Sequence, residues 1–224
     1  MPHANFEQLF QECFPFWESL LPDDREALIR SSYQASFKKG AHIHDGNECT
    51  GVILIRRGNL RLYLHSPEGK EITLYRLYPG DVCVLSASCV LEAITFDVSV
   101  DAEEDSECIV IGSCVLEELS RRIPSVKLFI MELALSRFSD VMWVMQQILF
   151  MSMDKRLAIL LLDEIQATGS DTVSMTHEMI ARHLGTAREV VTRMLKHMAS
   201  DGIVEVGRKG VTVLDKNKLR SIAY

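Results

Sequence analysis

From Lys39 to Ile111 the apolar residues come in short runs, partly alternating with polar ones: GVILI, LRLYLH, EITLYRL, DVCVL, ITFDVSV and CIVIG. Turn signals cut them at DGN (45–47), RRGN (56–59), SPEG (66–69), YPGD (78–81) and EED (103–105). Val-, Ile- and Thr-rich strands broken this often predict an antiparallel barrel, roll or sandwich. Ahead of them, a Pro and two acids before an apolar periodicity predict a short helix near 22–33.

The texture changes after Gly112. No Gly follows until Gly169, and the one Pro, Pro124, stands where a helix could begin. Leu128, Met131, Leu135, Phe138, Met142, Met145 and Leu149 follow the alternating three- and four-residue spacing of a coiled-coil seam, which predicts a homodimer built on this helix. Phe129, Ile130, Leu133, Val141 and Val144 predict that the same helix also packs on its own barrel. Ser152 can cap a second helix, MDKRLAILLLDEI, ending before the turn at 167–171. The remainder reads as helix 177–184, Gly185, helix 187–199, a turn at Asp201-Gly202, then IVEV and VTVL around Gly207-Arg208-Lys209-Gly210. Two helices joined by a tight Gly turn and followed by a hairpin predict a winged helix-turn-helix. The chain is therefore expected to be α+β, with a β domain over 1–122, a dimerisation helix over 123–150 and the winged helix over 151–224.

Composition agrees with a folded globule: 224 residues, 47% hydrophobic and 25% charged, unlike a collagen or a disordered tail. The opening MPHANFEQLF lacks the basic and apolar segments of a signal peptide. No uncharged apolar stretch approaches the ~20 residues that span a bilayer, so a cytoplasmic protein without a membrane partner is expected. Six Cys and no CxxC argue against a disulfide scaffold or a zinc ribbon, and the thiols are expected to be reduced. His42 and His44 would share one strand face without a third ligand nearby, so they are read as polar surface and no metal site is expected.

Charge is unevenly placed. Residues 1–150 hold 13 Lys and Arg against 22 Asp and Glu, whereas 177–220 hold nine basic residues against five acidic ones. In Thr186-Ala187-Arg188-Glu189 the T-x-x-E spacing predicts a capping box that fixes where the second helix begins. Arg188, Glu189 and Arg193 then occupy its first two turns. There a guanidinium can donate two bonds to guanine O6 and N7, and a carboxylate can accept from cytosine N4. Thr176, Thr186, Lys196 and the wing residues Arg208 and Lys209 are the candidate phosphate contacts. The bland alternative is that Glu189 only caps and that Glu189 and Arg193 form a solvated i,i+4 pair.

With these residues in place, the chain resembles the CRP/FNR family of bacterial transcription regulators. The resemblance rests on G-T-A-R-E-V-V-T-R-M-L-K from Gly185, and on R-R-G-N-L-R-L-Y and E-G-K-E-I-T-L-Y-R-L-Y-P-G-D in the β domain. It implies a cyclic-nucleotide-binding-like β-roll that senses an effector, a dimerisation helix and a DNA-binding winged helix. It also implies that Arg188, Glu189 and Arg193 read base edges in double-stranded DNA carrying TGA-type inverted repeats, and that RNA polymerase is a further partner.

The same resemblance bears on what is sensed. Cyclic-nucleotide members carry a ribose-binding Glu and a phosphate-binding Arg where this chain has Leu85 and Phe96, and a buried phosphate without a cation is costly. An unidentified small-molecule effector other than cAMP is expected. Iron–sulfur members use three closely spaced N-terminal Cys and a central one, whereas here Cys13 is followed by none until Cys49. Cys83, Cys89 and Pro2 resemble the ligand region of the haem-containing carbon-monoxide sensor, with Leu85 at or beside the expected His. Haem- or thiol-based redox or gas sensing through Cys83 and Cys89 is thus the alternative, and the cofactor is left open. No G-x-S-x-G, P-loop, HExxH or G-x-G-x-x-G occurs, so an enzyme is not expected. A ligand-binding module without DNA binding is the other class; it would leave the Arg188/Arg193 face dispensable.

Overall fold

The computed structural model describes residues 3–45, 50–85 and 98–224. It divides into two compact units, residues 1–64 with 74–141 and residues 65–73 with 142–224.

The first unit opens with α1 (His3–Cys13), a 3-10 turn (Trp17–Ser19) and α2 (Pro22–Arg30). Phe6 and Phe10 recur on one face of α1, and with Phe14 and Trp17 they are buried. Pro22 and the acids Asp23 and Asp24 start α2. This helix ends at Arg30, earlier than the expected 33. The Ser31 and Ser32 hydroxyls donate back to the Leu28 carbonyl at 2.9 and 2.7 Å, and Ser32 already begins strand β1 (Ser32–Phe37). The strands that follow are β2 (His42–His44), β3 (Val52–Arg57), β4 (Leu60–His65), β5 (Glu71–Leu77), β6 (Val82–Cys83), β7 (Ser99–Ala102) and β8 (Ser106–Ile111).

They form two antiparallel sheets, ordered β1-β8-β3-β6 and β2-β7-β4-β5, that do not close into a barrel. Between them lies a core with Ile53, Ile55, Cys83, Cys108 and Val110 from one sheet and Leu60, Leu62, Leu77 and Val100 from the other. The opposite face of the first sheet, with Val52, Leu54, Val82, Ile109 and Ile111, packs on the aromatic cluster of α1 and on α3 (Ser113–Arg122). Burial on both faces explains why β3 reads as the unbroken run VILI. The expected roll is present, and its first strand, β1, lies ahead of where the alternation was legible.

The Gly-free stretch holds several helices. Pro124 takes the first position of α4 (Pro124–Phe150), because its missing N–H would break a helix running on from α3. Val126 and Ile130 are the buried residues of α4. All seven seam positions are exposed, from 44% at Met142 to 64% at Leu135 and Leu149.

Apart from the hairpin tip 65–73 and the end of α4, the second unit comprises α5 (Met153–Thr168), β9 (Thr172–Val173), α6 (His177–Leu184), α7 (Arg188–Ser200), β10 (Val204–Gly207), β11 (Gly210–Val213) and α8 (Lys216–Ala223). Its core gathers Leu157, Leu161, Ile180, Leu184, Val191, Leu195, Val211 and Leu219. The winged helix-turn-helix is thus present, with β9 completing a small sheet ordered β10-β11-β9. The terminal helix α8 is an addition to the expected elements, capped by Asp215, whose carboxylate accepts from the Asn217 and Lys218 N–H groups. Among the described residues no helix is long and apolar enough to cross a membrane.

Gly185 makes the turn between α6 and α7. Its φ of +64° lies in the left-handed region, and the N–H groups of Gly185 and Thr186 return to the Arg182 and Ala181 carbonyls. A Cβ at this position would meet the Ile72 side chain at 3.1 Å. Gly185→Ala is expected to destabilise the second unit by about 1–2 kcal/mol, read as a fall of its thermal midpoint by calorimetry.

Candidate nucleic-acid interface

Both ends of α6 are tied down. Thr176 is its N-cap, the hydroxyl accepting from the Met179 N–H at 3.1 Å. At the other end Arg156, a buried residue of α5, donates from Nη2 to the Leu184 carbonyl at 2.6 Å. Burial lowers the pKa of that guanidinium. Nothing in the local pattern marks Arg156, because it stands among charged and apolar residues that all suit a helix.

The second helix starts differently from expectation. Ala187 is the N-cap of α7, and no side chain caps it. The capping box from Thr186 to Glu189 therefore does not form. The Thr186 N–H bonds the Ala181 carbonyl in closing α6, which shifts the start of α7 by one residue and makes Glu189 its second residue. The solvated Glu189–Arg193 pair does not form among the described residues either.

Val191, Leu195 and Met198 turn one face of α7 into the core, which leaves the opposite face to solvent. Arg188, Glu189, Arg193 and Lys196 are all exposed, as are Thr176, Arg208 and Lys209, while Thr186 is half-buried. No described hydrogen bond or ion pair engages the side chains of Arg188, Glu189 or Arg193. Two guanidinium groups and a carboxylate thus stand free at the tip of an exposed helix, a shape and donor set that match the major groove. Beside it, a cleft of about 310 Å³ is lined by Ser174, Thr176 and His177 and by the wing residues Arg208 and Lys209. Backbone phosphates suit that lining.

The candidate sensor residues lie in the first unit. Cys83 and Cys108 are buried on the two strands that flank β3, opposite Ile53 and Ile55. Two strand spacings put their Cα atoms more than about 9 Å apart, beyond the reach of a disulfide. Burial, with Cys83 adding to it, pushes the Cys108 thiol up to about 12. Leu85 is buried in the inter-sheet core. Pro2, Cys89 and Phe96 lie outside the described residues. A polar group the sequence did not announce sits nearby: Arg137 of α4 stacks over the Tyr75 ring at 4.9 Å and pairs with Asp140 at 3.1 Å and Asp81 at 3.6 Å. Burial raises the Tyr75 phenol pKa.

The histidine pair divides. His42 is exposed, its Nδ1 2.7 Å from Asp101 Oδ1, whereas His44 is buried, its Nδ1 2.9 Å from Thr50 Oγ1. An irregular register between the two separates their surroundings, so His44 is not surface. No group of three or more metal-ligating side chains occurs among the described residues.

Comparison with known proteins agrees with this architecture. Residues 34–122 match the cyclic nucleotide-binding domain family, and residues 155–222 match the Crp-like helix-turn-helix domain family. The solved structure of a regulator of the crp/fnr family from Eubacterium rectale is 40% identical and superposes with a TM-score of 0.91, covering 95% of this chain and 99% of that one. The cyclic AMP receptor protein of Thermus thermophilus is 25% identical over 94% of this chain and 97% of its own. The anaerobic regulatory protein of Haemophilus influenzae is 26% identical over 97% and 86%. The chain belongs to the CRP/FNR family. It is a DNA-binding transcription regulator with a cyclic-nucleotide-binding-type domain, and not an enzyme.

The thiol environments predict selective alkylation. With iodoacetamide at pH 8 and mapping by mass spectrometry, the exposed Cys114 is expected to react while Cys83 and Cys108 stay unmodified until the protein is unfolded. Reaction of Cys108 at the rate of Cys114 would contradict its burial.

Proposed function

We propose that this regulator works as a cytoplasmic homodimer that reads TGA-type inverted repeats and answers to a small molecule other than cAMP. Residues 1–122 are the sensing domain, 123–150 pair two copies, 151–224 bind DNA, and RNA polymerase is a further partner. The observation that carries the DNA assignment is the set of exposed, unengaged side chains at the tip of α7. Arg188, Glu189 and Arg193 contact bases; Thr176, Thr186, Lys196, Arg208 and Lys209 contact phosphates.

The uncovered stripe on α4 supports pairing, since seven large apolar side chains in a heptad seam are stable in water only when a partner helix covers them. Two recognition helices related by a two-fold axis then meet half-sites about one helical turn apart. The relative named for cyclic AMP would bring that ligand, but Leu85, buried and apolar, supports a different effector.

A second reading follows from the relative named as an anaerobic regulator, in which redox state or a gas is sensed. Burial of Cys83 speaks against a freely reacting thiol there. An absorbance spectrum and metal assay on protein purified without oxygen decide between the two. A colourless, metal-free protein is expected; a Soret band or stoichiometric iron selects the second reading.

Replacing both Arg188 and Arg193 by Ala is expected to weaken binding to a TGA-repeat duplex by at least about 100-fold, each bidentate base contact being worth about 1–3 kcal/mol. Fluorescence anisotropy over a salt series measures this, and unchanged affinity would sink the assignment of α7. Leu135→Glu together with Phe138→Glu is expected to shift sedimentation to the monomer; a dimer that persists would show that another face pairs.

A further inference from the structure

His183 stands beside Ile180 and Leu184 among the buried residues of α6. A buried imidazole calls for hydrogen-bond partners, and one comes from far back in the chain: the Thr73 hydroxyl lies 2.6 Å from His183 Nδ1. Its neighbour on β5, Ile72, packs on the turn between α6 and α7. The Ile72 Cδ1, Cβ and Cγ1 atoms lie 3.1, 3.4 and 3.5 Å from the place a Cβ of residue 185 would take, so the glycine leaves a notch that Ile72 fills. Adjacent strand residues point to opposite sides, and the two contacts together fix the strand end against rotation as well as sliding. Residues 65–73 accordingly group with the second unit.

The turn that Ile72 and Thr73 grip has little restraint of its own at its far end. Whereas Thr176 caps α6, no side chain caps α7. The turn is held from outside instead, by Arg156 on the Leu184 carbonyl and by β5 on His183 and Gly185. Arg188 and Glu189 follow within four residues, and they stay exposed while the hairpin tip is seated.

We propose that Ile72 and Thr73 are positioning residues for base reading: seated on the turn ahead of α7, they hold Arg188 and Glu189 where the groove can meet them, without touching DNA themselves. The proposal rests on the DNA-binding assignment of α7 and deepens it. A turn free to shift leaves only a fraction of molecules with the helix tip in place, and apparent affinity falls by that fraction. Both copies must seat on an inverted repeat at once, so a loss of about threefold in each becomes about tenfold for the dimer. Phosphate contacts from Lys196, Arg208 and Lys209 stand away from the turn, so sequence-independent binding is spared.

The test is anisotropy titration of the full chain with a TGA-repeat duplex and with a scrambled duplex of equal length, over a salt series. Wild type is compared with Ile72→Ala, Thr73→Val and Thr73→Ser, each checked for folding by circular dichroism. I72A and T73V are each expected to raise Kd for the repeat about tenfold and to leave Kd for the scrambled duplex unchanged, while T73S, which keeps the hydroxyl, binds as wild type does. T73V and T73S suffice if I72A does not fold. A merely structural contact moves neither duplex or both alike, and either result overturns the proposal while leaving the DNA assignment intact. Tighter binding by I72A and T73V also overturns it, since the seated tip would then restrain the helix away from DNA. Absence of salt-dependent wild-type binding to the repeat overturns both.

Discussion

Strand β3 carries Val52, Ile53, Leu54 and Ile55 in succession, and all four are removed from water because alternate side chains enter different cores. Val52 and Leu54 meet the helices and their aromatic cluster; Ile53 and Ile55 meet the second sheet. Each such burial contributes roughly 1.5–3 kcal/mol, so this one strand ties the helical layer and the roll together. A slip of one residue in its pairing with β8 would exchange the two sets, placing each side chain in the wrong core. The short outer strands and turns are arranged around this fixed wall.

How much of this was legible depends on whether the information was local. The strands from β3 to β5, the start of α4 at Pro124, the turn at Gly185 and the wing are each written in a few adjacent residues, and they stand where the pattern put them. Strand β1 was hidden because its register comes from β8, some seventy residues away, and its polar text SYQASF carries little alternation. Thr186 misled for a related reason: T-x-x-E is a sound local signal, but the Thr186 N–H is taken by the closing turn of α6. Arg156 and the Tyr75–Arg137 stack are tertiary facts without a local signature. His44 is similar, since its burial follows from a register irregularity rather than from its neighbours.

The candidate interface was more legible than the sensor, and for a physical reason. The side chains proposed to read the groove, Arg188, Glu189 and Arg193, lie within about two turns of one helix and so appear together in the text. A sensor built within the roll would draw its residues from several strands and a helix, so the candidates Cys83, Leu85, Tyr75 and Arg137 are scattered through the text. Family membership sharpens the first and leaves the second open, since one roll can be lined for different ligands without a change of fold.

The uncovered stripe of α4 has a consequence for how the protein behaves at different abundances. When a second copy covers that stripe, folding and pairing become one linked equilibrium, and the folded state gains stability with the logarithm of protomer concentration. Dilution then loosens the chain as heat would. A regulator made in few copies would live near the lower edge of that range, so its cellular level would set its persistence as well as its occupancy of DNA.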